Sequence, residues 1–113
     1  MATALVDDAR LDAVFTALSD ATRRDIVVRL GTGTATVSEL AAPYAMTVQA
    51  VSQHLQVLER CGLITRERQG QTRPCRLTPA ALDLASSWLA DSRRTWAERT
   101  DRLEAHLEEL QAR

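Results

Sequence analysis

The sequence contains no lysine: all 14 basic residues are arginine, which reads as a genomic composition bias rather than as chemistry. It has only two cysteines, Cys61 and Cys75, with no Cys-x-x-Cys and no Cys/His cluster, so both are expected to be reduced thiols. No run approaches the roughly 18 apolar residues needed to cross a bilayer. The stretch from Met1 to Asp8 has neither the basic segment nor the long apolar segment of a signal peptide. The expected location is therefore the cytoplasm, with no membrane partner. Also missing are a nucleophile–base pair, a glycine-rich phosphate loop and a carboxylate pair with supporting residues. No catalytic residue and no cofactor is expected, and an enzyme is excluded.

What is present fits one domain, since 113 residues can bury a single core. The formal net charge of −1 argues against a generally basic nucleic-acid coat. The distribution is uneven, however. Residues 60–76 carry Arg60, Arg66, Arg68, Arg73 and Arg76 against Glu67, a local charge of +4, whereas residues 98–109 sum to −3. A basic patch on an otherwise acidic chain suits local phosphate contact, with the acidic end turned away.

Along the chain, Leu11, Val14, Phe15 and Leu18 give residues 8–19 an amphipathic helical stripe. Asp20 can cap a second helix over 21–30, with Ile26, Val27 and Leu30 inward and Arg23 and Arg24 outward. Thr36-Val-Ser-Glu39 is a capping box that opens a short third helix, which Pro43 limits to about two turns. Thr47 caps the next helix, and Gly62 stops it. On that helix Val48, Val51, Leu55 and Leu58 form a stripe to be buried. Gln49, Ser52, Gln53 and Gln56 fall on the other side. Uncharged side chains that both donate and accept hydrogen bonds suit the reading of base edges in a major groove, where Gln pairs bidentately with adenine. Two short helices joined by a brief turn are the parts of a helix-turn-helix over 36–60.

Residues 63–77 then read as a β-hairpin turning at Gln69-Gly-Gln-Thr72, with Pro74 forcing an edge or a bulge. Thr78-Pro79 opens a last helix that reaches about Gln111. Leu82, Leu89, Trp96, Leu103 and Leu110 recur every seven residues along it. A helix this long cannot bury its seam on so small a body, so a second copy of the chain is the expected partner.

This order of elements resembles the ArsR-type winged helix-turn-helix repressors of bacteria over about residues 10–110. The resemblance is carried by Phe15 to Ile26, Val37-Ser-Glu-Leu40, Val51 to Leu58 and Cys61-Gly-Leu-Ile64. It implies a mainly α fold with a small β-hairpin wing, in which 1–19 and 78–111 are dimerisation helices. Double-stranded DNA is then the second partner. Gln49, Ser52 and Gln53 would meet base edges, with Thr47 supporting the helix or holding a phosphate. His54 is either a phosphate ligand or a packed core-edge residue. Arg66, Arg68 and Arg73 would supply wing contacts, with Gln69, Gln71 and Thr72 at the tip. The dimer interface would use Leu11, Phe15 and the heptad residues.

The metal sites of the family's founding members are not matched. Glu39 to Tyr44 holds no thiol pair, and His106-Leu-Glu-Glu109 offers half of a second site without its Asp-x-His partner, so no metal is expected. The chain is similar to a non-metal branch whose members often regulate their own promoter and a neighbouring gene. Two other readings stay open: a thiol- or metal-responsive repressor of the same fold using Cys61 or Cys75, and a winged-helix module that binds only protein. In the thiol reading, Cys61 is the buried, structural sulfur and Cys75 the more exposed one. The release signal and any small-molecule effector are unknown.

Overall fold

The computed structural model describes the backbone of residues 2–112 and the side chains of residues 8–112. The N-terminal stretch read above as no signal peptide lies largely outside the described side chains. The elements follow in the order α1 (Ala2–Ala17), α2 (Ala21–Leu30), α3 (Val37–Ala41), α4 (Val48–Arg60), β1 (Ile64–Arg66), β2 (Cys75–Leu77) and α5 (Pro79–Gln111). The first helix begins earlier than expected, since no glycine or proline interrupts residues 2–8.

Capping chemistry sets the boundaries of the three central helices. Asp20 Oδ2 accepts from the Arg23 N–H at 3.0 Å and starts α2. The Thr36–Glu39 box is complete, with Thr36 Oγ1 accepting from Glu39 N at 3.2 Å and Glu39 Oε1 from Thr36 N at 3.1 Å. Thr47 Oγ1 accepts from Ala50 N at 3.0 Å and starts α4. That helix ends in a Schellman motif: Leu63 N donates to Leu58 O at 3.0 Å and Gly62 N to Glu59 O at 3.1 Å. The motif needs a left-handed residue after the cap, and Gly62 supplies it at φ +85°. At α5, Pro79 opens the helix as expected, but the Thr78 side chain makes no capping bond.

One core joins these pieces. Val14 and Ala17 of α1, Ile26, Val27 and Leu30 of α2, and Leu40 of α3 meet Val51, Leu55 and Leu58 of α4. Leu63, Ile64, Ala81 and Ala85 close it from the wing and α5. Each fully buried Leu, Ile or Val stabilises the fold by about 1.5–3 kcal/mol.

The hairpin pairs Ile64 with Leu77, Thr65 with Arg76 and Arg66 with Cys75. Both strands are shorter than the sequence suggested, because Pro74 has no N–H to continue the ladder. Pairing resumes only at the tip, where Gln69 and Thr72 exchange hydrogen bonds of 2.8 and 3.0 Å around Gly70 at φ +60°. One pairing was not anticipated. Cys75 also bonds Ala35, N–H to O at 2.7 Å and O to N–H at 3.2 Å, which stitches the wing root to the loop before α3.

Helix α5 has 33 residues and so runs about 50 Å, along a molecule 74 Å in its longest dimension. Only Ala81 and Ala85 of it are buried. Leu82 is half-buried against the core, whereas Leu89, Trp96, Leu103 and Leu110 are exposed, Trp96 by 69%. On α1, Leu11 and Phe15 pack against this chain's own core, and Phe15 meets Trp88 edge-on with ring centroids 5.8 Å apart. Both stay half-exposed there, so the dimer role expected of them is carried forward as a proposal.

Candidate nucleic-acid interface

Helix α4 presents its outer face away from the core. Val51, Leu55 and Leu58 are fully buried, but Val48, assigned above to the buried stripe, is 54% exposed because the first turn of α4 overhangs the body. Opposite that stripe, Gln49, Gln53, Gln56 and Arg60 recur at i, i+4, i+7 and i+11, and all four are exposed. Ser52 lies on the flank and is half-buried. Within the protein, α4 and its flanking caps make side-chain hydrogen bonds through Thr47, His54 and Cys61. The three glutamine amides are thus left to solvent or a ligand, on a surface suited to base edges. Arg60 was not among the expected contacts, although its spacing from the glutamines is readable as a helical repeat.

His54 is a buttress. Its Nδ1 lies 3.2 Å from Arg23 Nη1 and 3.8 Å from Asp20 Oδ2. The nearer partner is a donor, so we assign Nδ1 as acceptor and place the ring proton on Nε2. Arg23, expected to point outward, folds back instead. Its Nε donates to Ala17 O at 2.6 Å and its Nη2 to Thr16 O at 3.3 Å, satisfying carbonyls at the end of α1. The Arg23 N–H holds the Asp20 carboxyl below the usual carboxylate range, with partial burial opposing and the Arg23 charge and Thr22 N–H assisting. This cluster fixes α4 to the α1–α2 corner.

The wing splits its arginines. Arg66 is turned inward, its side chain 14% exposed, with Nε 3.9 Å from Glu59 Oε1 and with Nε and Nη2 buried without hydrogen-bond partners. The strand period explains this: Arg66 stands two residues after buried Ile64 and opposite buried Cys75, hence on the core face. It is therefore removed from the outward wing contacts. Arg76 is exposed but pairs with Glu67 at 3.6 Å. Arg68 and Arg73 remain as exposed wing cations, with Arg68 Nε donating to Gly70 O at 3.3 Å. Beside them Gln69, Gln71 and Thr72 are exposed at the tip, and Thr72 Oγ1 donates to Gln69 O at 3.0 Å.

The thiols reverse their expected environments. Cys75, read as the more exposed, is fully buried, and burial pushes its thiol pKa up. Cys61, read as the buried one, is half-exposed, with its Sγ 3.3 Å from Leu58 O. Among the described residues no three His, Cys, Asp or Glu side chains converge as a metal site, and no helix is long and apolar enough to cross a membrane.

Comparison with known proteins places this arrangement. Residues 18–67, from the α1–α2 corner to the wing, match a family model described as a helix-turn-helix domain. The chain is 42% identical over 71 residues to the HTH-type transcriptional regulator Rv2034 of Mycobacterium tuberculosis, covering 63% of this chain and 66% of that protein. It is 30% identical over 79 residues to the transcriptional repressor SdpR of Bacillus subtilis, covering 70% of this chain and 88% of that one. Among solved structures, an ArsR family transcriptional regulator superposes with a TM-score of 0.74 at 37% identity, over 80% of this chain and 93% of that one. A homodimeric winged helix-turn-helix DNA-binding domain from Mycobacterium bovis gives 0.61 at 26% identity, over 83% and 86%.

Proposed function

The chain belongs to the ArsR family of winged helix-turn-helix transcriptional regulators, and from that premise we propose that it is a dimeric repressor reading an inverted repeat near its own promoter. Regulators of this kind bind DNA and are not enzymes. The observation that carries the finer reading is the exposed face of α4, where Gln49, Gln53 and Gln56 stand free in one helical row with Arg60, together with the exposed wing cations Arg68 and Arg73. In the proposed complex α4 lies in a major groove with Gln49 and Gln53 on base edges and Ser52 at the flank. Thr47 caps the helix within reach of a phosphate. His54 acts through the helix it props, and Arg68 and Arg73 meet phosphates from the wing.

The exposed seam Leu89, Trp96, Leu103 and Leu110 supports self-association, as does the homodimeric state of the Mycobacterium bovis domain. Two copies about a two-fold axis would read half-sites roughly 34 Å apart. Repression, the role of the Bacillus subtilis relative SdpR, would follow from occlusion of polymerase. A fluorescence-anisotropy titration against the chain's own upstream DNA and a scrambled duplex, at two salt concentrations, tests the reading. Selective, salt-sensitive binding by a dimer is expected. Absence of binding even at low salt would overturn it in favour of a protein-binding module.

A further inference from the structure

The leading turn of α4 carries an apolar surface that neither the core nor the glutamine face uses. Val48 is 54% exposed and Met46 36%, on either side of the cap residue Thr47. Among the described residues, the other large apolar side chains open to solvent are Val28, in the last turn of α2, and six on α5. At about 3.6 residues per turn, Val48 stands about 20° round the helix from buried Leu55 and about 40° from Ser52. It is the one position of the core-facing row that the body leaves uncovered, and it lies next to Gln49 and one turn ahead of Ser52. A β-branched residue is a weaker helix former than Gln or Glu, so local helix stability does not account for it. The same turn holds no acidic residue that a phosphate would repel.

We propose that Val48 reads thymine, its exposed γ-methyls packing against the 5-methyl group on the major-groove edge of an A·T pair. The proposal rests on the placement of α4 in a groove above and names the base pair that its leading end requires. A recognition helix meets base edges through its N-terminal residues, and Val48 and Gln49 are the first two residues of α4. Of the DNA bases, only thymine shows an apolar group in the major groove, while Gln pairs bidentately with N6 and N7 of adenine. The two preferences agree, since both select A·T pairs. Ser52 bonds to either kind of pair and adds no such preference. Val48 also acts by exclusion. A cytosine in place of the thymine would press its N4 amino group against methyls, losing water without gaining an acceptor. A polar side chain at the same position would accept that substitution.

Uracil is thymine without the 5-methyl group, so it deletes the contact from the DNA side and leaves every hydrogen-bonding atom in place. Duplexes enriched by the purified chain from a random-sequence pool supply the probe, and each thymine is then replaced in turn by uracil. One thymine in each half-site should stand out in an anisotropy titration. Its replacement should weaken binding about four-fold, and replacement in both half-sites about fourteen-fold, as expected for one buried methyl per copy. Val48→Ala should bind the thymine and uracil duplexes within about two-fold of each other, because its side chain no longer reaches the methyl. The substitution is at an exposed position and introduces the stronger helix former, so the fold is kept, with urea unfolding as the check. A uracil penalty equal in the two proteins, or none at any thymine, would overturn the reading of thymine by Val48 and leave α4 in the groove. Failure to enrich any sequence over the starting pool would overturn the placement of α4 on base edges, and the thymine contact with it.

Discussion

Replacing the wing arginines one at a time should separate two roles that the sequence presents as one. Arg68 and Arg73 are exposed, whereas Arg66 is tucked beneath the hairpin near Glu59. Each lost phosphate contact changes the slope of log affinity against log salt by about 0.9, so Arg68→Ala, removing two contacts per dimer, should flatten it by about 1.8. Between about 50 and 200 mM salt, the affinity advantage of the unaltered protein should shrink about twelve-fold. Arg66→Met should leave that slope unchanged. Its ion pair is long, at 3.9 Å, and Glu59 is 42% exposed, so losing it costs about 1 kcal/mol or less. Against this, the two buried guanidinium nitrogens without partners each carry an uncompensated desolvation of about 1 kcal/mol or more. Arg66→Met should therefore keep the unfolding free energy or raise it by about 1 kcal/mol. Glu59→Ala, which strands the cation, should lower it by about 1–2 kcal/mol. Anisotropy across a salt series and urea unfolding measure the two effects. The reasoning fails if Arg66→Met flattens the salt slope as much as Arg68→Ala does.

Four other outcomes follow from the geometry. Gln53→Ala should reduce discrimination between operator and scrambled DNA by about 1–3 kcal/mol while leaving non-specific binding unchanged, as read by competition anisotropy. Asp20 has a folded-state pKa below its ordinary value, so its stabilisation is complete above that value and disappears as pH falls through the folded one. Asp20→Asn keeps a capping oxygen without the titration, and acid unfolding should show a shallower loss of stability below about pH 4. Native protein treated with an aromatic disulfide reagent should release one equivalent of thiolate per chain from Cys61, with Cys75 reacting only in urea. Gly62→Ala, forced to φ +85°, should destabilise by about 1–2 kcal/mol in urea unfolding.

The elements were legible where local chemistry decides them. Thr36 with Glu39, Thr47 with Ala50, and Gly62 after the last turn are signals written within a few residues of the boundary they set. The glutamine face was legible because a helix of period 3.6 separates it from Val51, Leu55 and Leu58. Decisions made between distant segments were not. Arg23 is pulled inward by carbonyls of α1 and by His54, which is 31 residues away. Cys75 is buried because Ala35 pairs with it from the far side, and no pattern around Ala35 announces a strand. The inward turn of Arg66 was readable in principle from alternation with Ile64, but a net charge summed along the hairpin hides which face each cation occupies. Val48 obeyed the helical period and still failed, since periodicity cannot say where the body beneath a helix ends.

The way α4 is held has a mechanical corollary. Its C-terminal end is fastened by the Schellman bonds at Gly62 and Leu63 and by the strand that begins two residues later, while its first turn overhangs the body with Val48 in solvent. Between these two ends Val51 and Leu55 are buried and His54 ties the helix to Arg23 and Asp20, so the unsupported length is a single turn, about 5 Å. Gln49 and Gln53 therefore move with the core, and a change in their position relative to a groove has to be a movement of the whole body.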